Sequence, residues 1–472
     1  MDLSRSTLKL FVSRSGNAVV FFAGITAFSR WLSPDAMGVF FLYLALLGVL
    51  SIPADAGIRG ALEKRMSEGR NASQLLGSAL AFKLVALAVV GVGVLLARGP
   101  VDEYVGTPIA TLLAVGLVVQ EFARFYVQAV RGELRVGTTA PIQFSRRVVM
   151  FSLGAVLVWF GFGVRGLLLG QICGRAVEFL WAAVACDTSV GRPTVAHLHS
   201  LLSFSKYQSV LGVGGRIYQW SDTLIVGFFL AQQYVSAYEI AWQITLLVLL
   251  GSKSIGLTLF PQISRWDDRA QDDRIASAVS NALSFALLLS VPAVVGAVLY
   301  GRAILRYVYG PGYTIAASVL VVLMVEKLFQ SVNDVVGAAV RAIDRPDLAA
   351  RATVVSVGLN LVWSPVLVTG MGFLGAAVAT AAAWVVNTAL HLHYLSEHVS
   401  FSIPYRILAW YGLAAVGMGA LLTLLQRVVP VAGLPTLLAH VAVGAAAYAA
   451  ILAGVPTVRA RIIAPGLRQL SP

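Results

Sequence analysis

The chain has 472 residues, of which 58% are hydrophobic and 12% charged, and its mean hydropathy is +0.81. That much apolar surface cannot be hidden inside one soluble core, so lipid must serve as part of the solvent, and soluble enzymes and nucleic-acid-binding proteins are excluded despite a net charge of +13. The two cysteines, Cys173 and Cys186, support neither a disulfide framework nor a zinc site.

A helix needs about 20 apolar residues to cross the hydrocarbon core. Scanned at that length, the chain predicts fourteen spans, at roughly 15–32, 37–58, 76–97, 107–130, 145–161, 166–187, 207–230, 235–260, 277–300, 313–338, 348–368, 373–395, 405–425 and 435–456. The first run passes directly into the others without a small-residue cleavage site, so it is read as an anchor and not a cleaved signal. Between the fifth and sixth spans Phe160 to Val164 is itself apolar, but the matching break at Thr369 to Gly372 argues for a turn there.

Basic residues in short loops stay on the cytoplasmic side. With both termini cytoplasmic, the inner segments carry 22 Lys and Arg residues and the outer segments six: Arg30, Arg98, Arg165, Arg302, Arg306 and Arg427. A missed or invented helix would put every later loop on the wrong side, so this bias supports fourteen helices in the cell membrane. The positive excess is a topology signal and implies no nucleic-acid partner.

The chain also repeats. At an offset of 198, Phe229-Leu230-Ala231 falls on Trp31-Leu32-Ser33, and Val235 to Tyr238 falls on Met37 to Phe40. Near an offset of 210, Arg341 and Arg345 fall on Arg131 and Arg135, and Gly370 to Gly375 falls on Gly161 to Gly166. Six spans per copy make the repeats parallel. The expected organisation is a six-helix bundle over 1–190, a second over 191–400, and two further helices with a short basic tail over 401–472. No connection is long enough to fold as a soluble domain.

Three passages resemble the oligosaccharide-lipid flippases of the multidrug/oligosaccharidyl-lipid/polysaccharide exporter superfamily. The first is Phe28 to Pro34, with Met37 to Phe40 and Asp55-Ala56-Gly57-Ile58 after it. The second is WSDTLIVGFFL around Asp222, with Ala237-Tyr238 and Phe260-Pro261. The third is RAIDRPDLAARATVVSVGLNLVW followed by GMGFLGAAVAT. One departure is Ser236, where that family commonly has glycine. The resemblance implies an all-α fold like that of the multidrug antiporters, and translocation of a polyprenyl-linked oligosaccharide to the outer leaflet by alternating access. The carrier lipid would be an undecaprenyl or dolichyl phosphate or pyrophosphate, the protein a monomer without cofactor, and the coupling ion a proton or sodium. A cation-coupled multidrug or metabolite antiporter of the same fold is the alternative. A membrane-embedded glycosyltransferase or ligase would need catalytic groups on a large outer loop, and the outer loops are short.

An ionisable side chain at mid-membrane is costly unless it meets water or a partner, so each is a candidate for function. Lys83, Arg216 and Lys253 have no acidic partner nearby in sequence, and with Arg30 and Arg124 they are the candidate cations for a lipid phosphate. Glycines beside Arg216 would allow either a helix break or close packing. Asp55, Asp222 and Asp334 are candidate coupling or structural carboxylates. Glu121 with Arg124 and Arg175 with Glu178 are spaced i,i+3, as internal ion pairs would be. Arg59, near the inner end of its helix, is expected to reach the interface. Tyr218, Gln219, Trp220, Trp242, Gln243, Gln330 and Asn333 could meet sugar hydroxyls.

Overall fold

The computed structural model describes residues 20–69 and 71–459, and the side chains of all of these except 206–213. The basic flank of the first predicted span, Arg70 and the C-terminal basic tail lie outside the described residues. By their internal contacts the residues fall into two compact units, Met1–Ser236 and Ala237–Pro472.

Among the described residues all regular structure is helical. The first unit contains α1 (20–31), α2 (Pro34–Asp55), α3 (Ile58–Ser67), α4 (Ala72–Leu96), α5 (Arg98–Val105), α6 (Ala110–Gly132), α7 (Thr139–Trp159), α8 (Gly163–Ala185) and α9 (Val195–Phe229). After α10 (Gln232–Leu246), whose first turns still belong to that unit, the second holds α11 (Leu249–Asp267), α12 (Asp272–Leu287), α13 (Ser290–Ile304), α14 (Ala317–Ala342), α15 (Pro346–Met371), α16 (Phe373–Ser396), α17 (Tyr405–Val428) and α18 (Leu434–Ala453).

Eleven of the described helices are long and apolar enough to cross a membrane, or up to twelve when α10 and α11, bent by 53° at their junction, count as one span. The predicted intervals overlap these one to one, apart from 15–32 and 207–230, whose beginnings fall on residues or side chains outside the description. The protein is a multi-pass membrane protein. Its outward surface agrees with that: on α4, Leu84, Val85, Val89 and Val92 are all more than half exposed, a cost in water and none in lipid.

The duplication is visible in backbone detail. Leu134 and Asp344, 210 residues apart, both take left-handed conformations (φ 62° and 54°), and in each case the next residue's N–H closes the same bond, Arg135 to Val130 O and Arg345 to Val340 O, both at 3.3 Å. The turn expected between the fifth and sixth spans is present, and so is its counterpart, with Gly161 and Gly372 at positive φ. One turn further on, a Cβ added at Gly375 would stand 2.1 Å from Leu367 O, and one at Gly166 would stand 2.9 Å from Leu157 Cβ. Both hairpins therefore need glycine where the helices close on each other.

The connection between α8 and α9 is tied to the start of α4 and the end of α6. Gly191 N–H donates to Ser73 O at 2.9 Å, and a Cβ at Gly77 would stand 1.9 Å from Gly191 O. Glu133 accepts from Thr188 N–H and Oγ1 at 2.8 and 2.7 Å. Burial would push its carboxyl up, but these bonds outweigh burial and hold it below the usual carboxylate range. From Thr194, whose hydroxyl caps the helix at His197 N–H, α9 then runs unbroken for 35 residues, about 52 Å at 1.5 Å per residue.

Candidate functional site

The site begins with a helix break. Ala56 and Gly57 both have positive φ (43° and 76°), which ends α2 at Asp55 and restarts the chain as α3, with Arg59 in its first turn. Arg59 Nε donates to Asp55 Oδ1 at 2.7 Å, and its side chain is only 11% exposed. Arg59 was expected at the interface. It is instead held inward because the break supplies a carboxylate within reach.

Behind this pair lies Lys83 of α4. From sequence it was expected to lack a local partner. In the structure it is fully buried, and its Nζ donates to Asp55 Oδ1 at 2.8 Å, Glu121 Oε2 at 2.9 Å and Ala54 O at 3.1 Å. The partners are 28 and 38 residues away in sequence, so helix-spacing arithmetic could not find them. Glu121 also accepts from the Ser51 hydroxyl. Ser51 in turn accepts from Arg124 at 2.8 Å, and Arg124 lies 3.5 Å from Glu121.

On α6, Glu121, Arg124, Gln128 and Arg131 follow at spacings of 3, 4 and 3, which places them along one face. That face opens on a cavity of about 340 Å³ lined by six arginines, Arg59, Arg124, Arg131, Arg146, Arg175 and Arg216, together with Gln128, Gln143, Val127 and one carboxylate, Glu178. The lining carries a formal charge of +5 (six arginines less one glutamate). Glu178 binds Arg175 at 2.7 Å and lies 3.8 Å from Arg146. The expected i,i+3 pairs are thus both formed, and each places an arginine in the cavity lining. The buried Nε groups of Arg131, Arg146 and Arg175 have no hydrogen-bond acceptor among the described residues. Buried donors without acceptors are uncommon in folded proteins and expensive, and here they belong to arginines whose side chains line a cavity of excess positive charge. That combination suits a bulky anion with several oxygens.

Of the five cations singled out from sequence, Arg124 and Arg216 line this cavity, and Lys83 lies behind it. Arg30 is exposed near the end of α1 and does not line it. Lys253 is exposed on α11 of the second unit. Next to it, Ser252 donates to Asp334 at 2.7 Å, and Lys253, Lys327 and Arg341 all act electrostatically on Asp334. Asp222 is buried on α9. The glycines before Arg216 do not break the helix, and a Cβ at Gly215 would meet open space.

Two candidate sugar contacts are engaged by the protein itself. Trp220 presses its indole on Gly48, where a Cβ would stand 2.2 Å from Nε1, and Gln330 accepts from Lys327 at 2.9 Å.

Arg131 and Arg146 were missed as site residues because they were assigned to inner loops. α7 starts at Thr139, six residues before the predicted span 145–161, so Arg146 stands two turns into a helix and not at its edge. The signal that was available is the 3-4-3 polar stripe on α6, which continues past the predicted end of the span.

The second unit has a cavity of opposite character, about 620 Å³ and lined by apolar side chains including Leu289, Ala293, Met418 and Val441, with Tyr300 and Tyr448.

The chain is 39% identical over 451 residues to a protein of Haloferax volcanii named as a probable low-salt glycan biosynthesis flippase, covering 96% of each chain. To a second Haloferax volcanii protein, named as a probable flippase, it is 30% identical over 427 residues, covering 89% of each. Among solved structures it is similar to the lipid II flippase MurJ in an inward closed conformation, with a TM-score of 0.78 at 15% identity, covering 95% of this chain and 98% of that one. It also resembles an inward-facing multidrug resistance transporter, itself named as one of the MOP superfamily, with a TM-score of 0.61 at 17% identity, covering 83% and 94%. At these identities the two structures speak for the fold alone. Residues 27–318 match a family described as polysaccharide biosynthesis protein, and with that match and the relatives spanning nearly its whole length, the chain belongs to this family of membrane proteins.

Proposed function

We propose that this chain, a flippase for lipid-linked glycans and a transporter, not an enzyme, moves a polyprenyl phosphate- or pyrophosphate-linked oligosaccharide from the cytoplasmic to the outer leaflet of the cell membrane by alternating access. The product would serve surface polysaccharide or protein glycosylation. The observation that carries the chemical part of this reading is the arginine cavity of the first unit. A phosphate or pyrophosphate presents several oxygens to a guanidinium fork, and six arginines against one glutamate line this cavity. The apolar cavity of the second unit suits an isoprenoid chain.

The same fold serves multidrug transporters, but a +5 lining has the wrong sign for a cationic drug. We place both termini in the cytoplasm on the loop charge bias, and take the monomer as the working form. Of the candidate coupling carboxylates, Asp55 is committed to Lys83 and Arg59, which assigns it a structural part. Asp334, with Ser252 as a hydrogen-bond partner, is the one we assign to proton or sodium coupling.

The test is the location of the glycan in cells deprived of this protein. The lipid-linked oligosaccharide should accumulate and bind a lectin in inside-out vesicles while right-side-out vesicles stay unlabelled. Normal lectin labelling of right-side-out vesicles would remove the assigned function.

A further inference from the structure

Lys83 has no exposed surface and stands behind the arginine cavity, outside its lining. An ammonium has three donors, and three acceptors meet them: Asp55, Glu121 and the Ala54 carbonyl. The two carboxylates also hold cavity arginines, Asp55 through Arg59 at 2.7 Å, and Glu121 through Arg124 at 3.5 Å with Ser51 between them. A carboxylate that grips a cavity arginine competes with any incoming anion for it. Conversely, an arginine that turns away to an anion leaves a buried carboxylate behind, which is strongly unfavourable unless that carboxylate keeps another partner.

We propose that Lys83 is a positioning residue that keeps Asp55 and Glu121 compensated from behind, so that Arg59 and Arg124 can transfer to the anionic head of the cargo and return to the carboxylates when it leaves. This rests on the reading of the cavity as a site for a phosphate-bearing lipid. Lys83 itself does not touch the cargo. It lowers the cost of the exchange.

The second copy of the repeat shows that the fold does not demand a lysine held between two carboxylates. Ser331 and Asp334 stand 210 residues after Glu121 and Arg124. There Ser331 pairs with Ser290, on the third span of its copy as Lys83 is of the first, at 2.7 Å, and Asp334 accepts from Ser252 at 2.7 Å. Equivalent helices are joined by a pair of serines and a serine–aspartate bond where the first unit uses a lysine and two carboxylates.

The test titrates the full-length protein in detergent with inorganic pyrophosphate by calorimetry, comparing wild type with Lys83→Met, Glu121→Gln and the double variant. Lys83→Met should weaken binding by about tenfold or more with little change in the thermal unfolding midpoint, because Asp55 and Glu121 then retain the arginines. The double variant should return to within about threefold of wild type, since one competing carboxylate has gone with the lysine. Glu121→Gln alone should bind more tightly than wild type.

Wild-type affinity in Lys83→Met, or a double variant no better than the single one, would overturn the proposal while leaving the cavity reading intact. Should Lys83→Met fail to accumulate, Glu121→Gln decides, and binding equal to or weaker than wild type overturns it. Absence of pyrophosphate binding by the wild type removes the cavity reading and this proposal together.

Discussion

Replacing Arg124 and Arg146 together by glutamine should abolish surface display of the glycan in cells that depend on this protein, while the variant accumulates in the membrane at the wild-type level. The pair is chosen because each removal leaves its carboxylate with a partner. Glu121 keeps Lys83 at 2.9 Å and Ser51, and Glu178 keeps Arg175 at 2.7 Å. No buried acid is left uncompensated, so the folding penalty of a broken ion pair does not arise. Two charge-assisted contacts of about 1.5–3 kcal/mol each would be lost, which weakens the hold on a phosphate roughly a hundredfold or more. Quantitative lectin staining of intact cells, with membrane immunoblots alongside, measures the effect. Display at half the wild-type level or above would show that the cavity does not hold the cargo's charge.

A disulfide between positions 35 and 233 should stop transport reversibly. These positions are repeat-related by the offset of 198, and the turns that carry them touch. Gln233 N–H donates to Asp35 Oδ1 at 3.1 Å, Gln232 Nε2 donates to Val105 O at 3.0 Å, and a Cβ at Gly38 would stand 2.0 Å from Gln232 O. A disulfide spans Cα atoms about 4.4–6.8 Å apart, a separation that the direct bond between the two positions makes accessible. Both turns lie on the side that the loop charges assign to the outside, and release of a cargo there requires them to part. In a chain whose Cys173 and Cys186 are replaced by serine, oxidation of Asp35→Cys/Gln233→Cys should reduce glycan display to background, and reductant should restore it. Efficient cross-linking with undiminished display would mean that this contact is no gate.

How far the sequence could reach is clear from particular residues. The twelve spans that coincide with described apolar helices, the duplication and the glycine turns at Gly161 and Gly372 are legible because each is a local pattern: apolar length, matches at a fixed offset, a glycine between two apolar runs. The i,i+3 pairs Glu121 with Arg124 and Arg175 with Glu178 are legible for the same reason. Lys83 has no partner nearby in sequence, as read, but Asp55 and Glu121 approach it from other helices, and tertiary proximity leaves no trace at i±3 or i±4. Arg59 was misplaced because the Ala56-Gly57 break, which turns it inward, reads in sequence only as a short family passage. Arg131 and Arg146 were lost to a boundary. Arg131 lies one residue past the predicted span 107–130 and Arg146 is the second residue of the predicted span 145–161, whereas α6 and α7 extend beyond those ends and carry both inside helices.

The most direct measurement is flipping by the purified protein. Proteoliposomes would carry a short-chain polyprenyl pyrophosphate bearing a fluorescently labelled sugar, and an impermeant reductant would bleach only label in the outer leaflet. With wild-type protein, nearly all label should become accessible as the lipid equilibrates between leaflets, whereas vesicles containing the Arg124→Gln/Arg146→Gln variant should protect about half of it, as protein-free vesicles do. Flipping by that variant at the wild-type rate would contradict the assignment of the arginine cavity as the site that carries the lipid phosphate.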